Sequence, residues 1–200
     1  MVRRAVAGVF GSRIAKAARG IREAVASYHK TFCEPKYLGQ LQFSSREFAG
    51  TDLLDIGSGP VSGATCFVGA RLHCLDHLWP KYLAAGYPRD LSDWIVIEAK
   101  SEQMPLADAS MDAIISVNAL DHVDDIAATA REVRRVLKPH GRLRFHVEYH
   151  KPRVLEPQRL SDGLMGKLFS WCDGFRKLGQ SDRVASHVLA NGEQYALWGN

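Results

Sequence analysis

The run Leu53-Leu54-Asp55-Ile56-Gly57-Ser58-Gly59-Pro60, followed by a second apolar segment ending at Asp76, constrains this chain more than any other feature. An apolar strand that enters a glycine-rich turn exposes bare backbone N–H groups, and a ligand can come closer to them than side chains would allow. An acid about 20 positions on, at the tip of the next strand, can accept hydrogen bonds from ribose hydroxyls. The pairing points to a parallel α/β sheet and to a cofactor that contains a nucleoside.

From residue 51 onward, strand and helix patterns alternate, as a largely parallel sheet with helices on both faces requires. Asp52–Ile56 and Arg71–Leu75 read as the first two strands, with a short helix starting near Val61 between them. Trp79–Ala85 reads as a helix and Asp93–Ala99 as the third strand. Met111–Val117 is largely apolar and suits a buried central strand. Ile126–Leu137 reads as a helix capped by Asp124 or Asp125 and stopped by Lys138-Pro139-His140-Gly141, ahead of a fifth strand over Arg142–Glu148. Residues 151–180 read as irregular, a place for a substrate lid or a variable insert. His187–Ala190, the Asn191-Gly192 turn and Glu193–Trp198 predict an antiparallel hairpin.

The charge is uneven. Residues 1–50 carry nine Lys/Arg against three Glu, whereas the rest carries 17 basic and 19 acidic residues. Within Val2–Tyr28, apolar residues recur at helical spacing and no acid precedes Glu23. Three readings stay open for this segment: a helix packed on its own domain, a helix for an anionic membrane surface or a partner, and an organelle-targeting presequence. Residues 1–50 are thus read as a basic amphipathic helix with its lead-in, and residues 51–200 as the folded domain. Cys33, Cys66, Cys74 and Cys172 are scattered without a CxxC pair, so neither a metal site nor a disulfide framework is expected. No apolar run is long enough to cross a membrane and no secretory h-region is present, which makes a cytoplasmic protein the default.

Four consecutive motifs over residues 50–150 resemble the class I S-adenosylmethionine-dependent methyltransferases, in particular the type 11 methyltransferase-domain family. Leu54-Asp55-Ile56-Gly57-Ser58-Gly59-Pro60 is similar to that family's first motif, and Leu75-Asp76-His77-Leu78 to its second. Ser101-Glu102-Gln103-Met104-Pro105-Leu106 resembles the loop beside the adenine. The stretch from Met111 through Asn118-Ala119-Leu120-Asp121-His122-Val123 resembles the fourth strand and its turn, and Val136–Leu143 resembles the helix exit and fifth strand. Lys100 and His140 depart from the pattern, standing where relatives commonly carry an acid and a glycine.

The resemblance implies a Rossmann-like, seven-stranded, mostly parallel sheet with helices on both faces and a C-terminal antiparallel hairpin. It implies S-adenosyl-L-methionine as cofactor. Asp55 would orient the loop and the methionine end, and Gly57, Ser58 and Gly59 would allow close backbone approach. Asp76, with His77 beside it, would hold the ribose diol, and Ser101 and Glu102 would flank the adenine. Asn118 and Leu120 would face the methionine portion. The acceptor expected is a small molecule, a lipid-like compound or a cell-surface sugar intermediate.

An oxygen or nitrogen acceptor needs a base, and histidine suits that task near neutral pH. Asp121 and His122 follow the fourth strand and His150 follows the fifth, at the sheet edge where open α/β sheets bind ligands. His122 and His150 are therefore the candidate catalytic residues, while His146 lies within the fifth strand. The domain has no basic stripe and no Asn/Asp-Pro-Pro-aromatic segment after the fourth strand, which argues against nucleic acid as substrate. Gly63 comes one position late for a dinucleotide fingerprint, which argues against a nicotinamide enzyme. The competing reading is a non-catalytic S-adenosylmethionine-binding or partner-binding protein, docking through residues 2–28.

Overall fold

The computed structural model describes residues 20, 23–24, 27, 31, 34–87, 89, 93–184, 187–188 and 193–200. The expected helix over residues 2–28 and the Asn191-Gly192 turn lie outside the described residues, apart from a few positions in the former.

Seven strands form one sheet. In chain order they are β1 (Asp52–Ile56), β2 (Arg71–Leu75), β3 (Ile95–Ile97), β4 (Met111–Val117), β5 (Leu137–Tyr149), β6 (Arg176–Ser181) and β9 (Gln194–Gly199). Two short strands, β7 (Arg183–Val184) and β8 (His187–Val188), pair only with each other. The order across the sheet is β3-β2-β1-β4-β5-β9-β6. The first five are parallel, and β9 runs antiparallel to both β5 and β6.

Alternation along the strands builds two cores, one on each face of the sheet. Leu54, Ile56, Ile114, Leu143, Phe145 and Val147 turn to one face. There they meet Ile126, Ala130, Val133 and Val136 of helix α3 (Ile126–Val136) and Met165 of helix α4 (Asp162–Leu168). Leu53, Cys74, Ala113, Ile115 and Val117 turn to the other. They pack on Tyr37 and Leu41 of helix α1 (Glu34–Leu41) and on Trp79 of helix α2 (Trp79–Ala84). Phe43 and Phe48 join this second core, so the segment just before β1 is packed on the sheet.

The boundaries of β1, β2 and β4 are those read from the sequence. Of the two candidate caps for α3, Asp125 is the one used: its carboxylate accepts from the amides of Ala127 and Ala128 at 2.8 and 3.0 Å. The short helix expected near Val61 is a single 3₁₀ turn, Gly63–Cys66, capped by Ser62. A Cβ at Gly63 would stand 2.3 Å from the Tyr37 ring, which explains a glycine under α1.

Three expectations need correction. The stop signal Lys138–Gly141 does end α3, but its residues are taken into β5 as an irregularity opposite Met111 and Ala113. Residues 151–180 are not wholly irregular, since they contain α4 and most of β6. The C-terminal strands are antiparallel as expected, yet β9 does not pair with β8. Phe145 faces Trp198 and Gly179 faces Leu197, which puts β9 between β5 and β6.

Candidate functional site

The order reverses direction between β1 and β4, and ligands in open α/β sheets bind at such a switch point, outside the carboxyl ends of the strands. A cavity of about 290 Å³ lies there, at the small end of the range for ligand pockets. Its apolar walls include Ile56, Leu75, Ala99 and Val123, and its polar groups include Asp76, Ser101, Glu102 and Asn118.

The turn after β1 is shaped by φ angles of +71° at Gly57 and +66° at Gly59, which L side chains rarely adopt. Its amides are already directed: Gly57 and Ser58 donate to the Leu75 carbonyl at 2.8 and 3.2 Å. Gly59 donates to Asp76 Oδ2 at 2.9 Å. The other Asp76 oxygen accepts from the Leu78 amide at 2.8 Å. The Tyr82 hydroxyl, 3.3 Å from Asp76 Oδ2, also donates to this carboxylate. Burial and the Asp76 charge push the Tyr82 phenol up to about 12, so it stays a donor.

Asp55 lies behind the turn and does not line the cavity. It is fully buried and accepts from the hydroxyls of Ser62 at 2.6 Å and Tyr37 at 3.1 Å. Desolvation pushes its carboxyl up to about 7, against the opposing effect of these two hydrogen bonds. Asp55 is thereby joined through Ser62 to the 3₁₀ turn Gly63–Cys66, whose Ala64 amide donates to the Ser62 hydroxyl. Ser58 is likewise buried outside the lining, and Leu120 is wholly within the core under α3.

Across the cavity, Glu102 Oε1 accepts from the amides of Asp124 and Asp125 at 2.7 and 3.2 Å, and Ser101 is bonded to Thr129 at 3.0 Å. Both thereby fix the loop after residue 100 to the start of α3. Lys100, the departure noted in the sequence, pairs with Asp124 on the rim. Asn118 has φ +52°, and its side-chain oxygen lies 2.8 Å from His146 Nδ1. Strained backbone of this kind is concentrated at functional turns.

The two candidate bases part company. His122 is exposed and lines the cavity. Its Nδ1 lies 2.9 Å from the Leu155 carbonyl, which only accepts, so Nδ1 carries the proton and Nε2 is the basic nitrogen. His150 has no exposed side-chain surface and sits 3.1 Å from Asp121 Oδ2, away from the lining. Burial disfavours its charged form, but the Lys151 carbonyl, Asp121 and Glu156 outweigh that and raise its pKa.

Eight of the twelve candidates thus meet around one cavity: Gly57, Gly59, Asp76, His77, Ser101, Glu102, Asn118 and His122. Asp55, Ser58, Leu120 and His150 stand behind it. Tyr82 was missed; its only signal was a tyrosine six residues past Asp76 on a helix that begins at the cavity edge.

Residues 54–145 match a family described as methyltransferase domain. The chain is 34% identical over 138 residues to a malonyl-[acyl-carrier protein] O-methyltransferase of Hahella chejuensis, covering 64% of this chain and 48% of that protein. It is 34% identical over 98 residues to a ubiquinone/menaquinone biosynthesis C-methyltransferase of Rubrivivax gelatinosus, covering 47% of this chain and 38% of that one. The chain therefore spans about half or less of the length of these relatives. Among solved structures, an S-adenosylmethionine dependent methyltransferase from Mesorhizobium loti has the same fold, with a TM-score of 0.58 and 17% identity over 86% of this chain and all of that one. Motifs, strand order and the family match agree on residues 54–145, a stretch similar to methyltransferase domains and carried on the same fold as that solved structure.

Proposed function

We propose that this protein transfers the methyl group of S-adenosylmethionine to a lipid-like small molecule. The observation that carries the cofactor half is Asp76, a carboxylate at the cavity wall held by the Gly59 and Leu78 amides and the Tyr82 hydroxyl, with an acceptor position on Oδ1 to spare. A ribose diol fits that acceptor, and the apolar walls suit a nucleobase. The cofactor supplies a methyl already activated on a sulfonium, so the protein contributes proximity, orientation and exclusion of water.

Asp76 holds the nucleoside end, and Asp55 keeps the glycine turn in place from behind. Asn118, fixed by His146, marks the methionine side. His122 takes the acceptor proton on Nε2, the nitrogen turned away from the Leu155 carbonyl.

The lipid-like acceptor is supported by the surface next to His122. Val154 and Leu155 are 96% and 78% exposed, and the Leu155 carbonyl is the group bonded to His122. Two adjacent exposed aliphatic side chains at a cavity mouth suit an apolar ligand. The names of the relatives, an O-methyltransferase for an acyl-carrier protein and a C-methyltransferase of quinone biosynthesis, suit the same acceptor class.

Calorimetric titration with S-adenosylmethionine, S-adenosylhomocysteine and NAD tests the cofactor reading. Binding of the first two and not the third is expected. Absence of binding by both adenosyl compounds would overturn it in favour of a partner-binding protein.

A further inference from the structure

Behind the cavity, a second group of side chains has no part in the reading above. Asp121 follows β4, His150 follows β5, and Glu156 belongs to the segment between β5 and α4. Each offers one ligand atom, and these atoms all lie within 4.8 Å of one another. None of the three lines the cofactor cavity.

His150 Nε2 is 3.1 Å from Asp121 Oδ2 and 3.8 Å from Glu156 Oε2. Ligand atoms held about 2.0–2.1 Å from a tetrahedral ion are separated from each other by about 3.3 Å, so this spacing needs little adjustment. The Lys151 carbonyl lies 2.7 Å from His150 Nδ1 and must accept from it. That fixes the ring with Nε2 turned toward the carboxylates, the outer hydrogen bond a metal-bound histidine usually has.

A further observation points to a missing partner. Asp121 is 2% exposed, and its Oδ1 has no hydrogen-bond partner. A buried carboxylate oxygen left unsatisfied calls for a donor or an ion. The surroundings are also anionic: the charges of Asp121 and Glu156 act on Glu148, and Arg153 pairs with Glu156 at 2.7 Å, with Glu193, and with Glu148 at 3.8 Å. Among the described residues, His150 and Arg153 are thus set against four carboxylates.

We propose that Asp121, His150 and Glu156 bind a divalent first-row cation of the zinc or manganese kind. One imidazole nitrogen with two carboxylate oxygens suits these ions, whereas calcium and magnesium prefer oxygen alone. The bound ion ties the exit of β4 to residues 150–156. It thereby steadies Leu155, whose carbonyl sets the His122 tautomer, on the acceptor side of the cavity. The site is independent of cofactor binding.

The test uses the full chain, stripped with chelator and titrated by calorimetry with Zn²⁺, Mn²⁺ and Ca²⁺ separately, with a thermal melt at each end point. One Zn²⁺ or Mn²⁺ per chain and a raised Tm are expected. Glu156→Gln and Asp121→Asn should each weaken the ion by roughly 10-fold or more, with S-adenosylmethionine affinity kept in Glu156→Gln. His150→Ala should abolish the site, and Glu156→Gln, at a half-buried position, carries the test if His150→Ala does not fold. No ion bound by the wild-type chain, binding of Ca²⁺ alone, or equal affinity in the Glu156 and Asp121 variants would overturn the proposal.

Discussion

The carboxylate of Asp76 accepts a hydrogen bond from the amide of Gly59 at 2.9 Å, tying the end of one strand to the turn after its neighbour. The acid therefore shapes the glycine turn as well as facing the cavity. Removing it withdraws an acceptor from a ligand and also frees the turn that the ligand approaches.

Asp76→Ala is expected to weaken S-adenosylmethionine binding by roughly 1.5–3 kcal/mol, about one to two decades in Kd. Calorimetry reads this directly. Unchanged affinity would show that the ribose lies elsewhere.

At Gly57 the turn also leaves no room for a side chain. A Cβ at Gly57 would stand 2.2 Å from Ala119 Cβ, and the position has φ +71°. Gly57→Ala should destabilise the fold by about 1–3 kcal/mol through overlap and strain together. Adding Ala119→Gly should recover the overlap part and leave the strain, giving a measurable coupling in a double-mutant cycle of urea unfolding. Additive effects would mean that the two turns do not meet.

Asp55 makes stability depend on pH. Its folded pKa, raised to about 7, lies above the ordinary carboxylate value of 3.8 expected when unfolded. The folded chain then holds the proton longer, so this contribution is present below pH 3.8 and is lost as pH rises through about 7. Asp55→Asn, which stays neutral, should flatten that decline and gain on the wild type by a few kcal/mol at most above pH 7. Thermal melts between pH 4 and 8 check it; parallel curves for the two proteins would refute it.

His140 takes φ +61° at an exposed position in the exit from α3. His140→Gly is expected to raise stability by about 0.5–1 kcal/mol, because glycine adopts this conformation without strain. A lower urea midpoint in the variant would show that the imidazole makes up for the strain.

The glycine turn, Asp76 and the buried strands were legible because their signals are local. Leu53 to Ile56 and Met111 to Val117 are mostly apolar runs, broken by Asp55, Asp112 and Ser116, and burial on both faces demands such runs. Strand β6, Arg176–Ser181, carries no such run, since it is an edge strand with half-exposed residues. The partner of β9 was misread for another reason. Asn191-Gly192 reports only on its immediate neighbours, whereas Tyr195 to Trp198 are all buried and find their places between two strands distant in sequence. Similarly, Asp121 and His150 could be assigned to one sheet edge, but Glu156 joins them only through the path of the segment after β5.

The insertion of β9 sets an order of assembly. β9 is synthesised after both of its neighbours, and β6 has no other partner in the sheet. While the chain emerges, β1 to β5 can already pair, yet β6 must wait without a ladder, and the outer edge of β5 stays open. Closing that gap is a long-range step with a large entropic cost, so the half of the sheet beyond β5 completes last. A nascent chain stalled before Gln194 would carry the paired strands β1 to β5 next to an unpaired strand edge, the kind of surface on which chains aggregate.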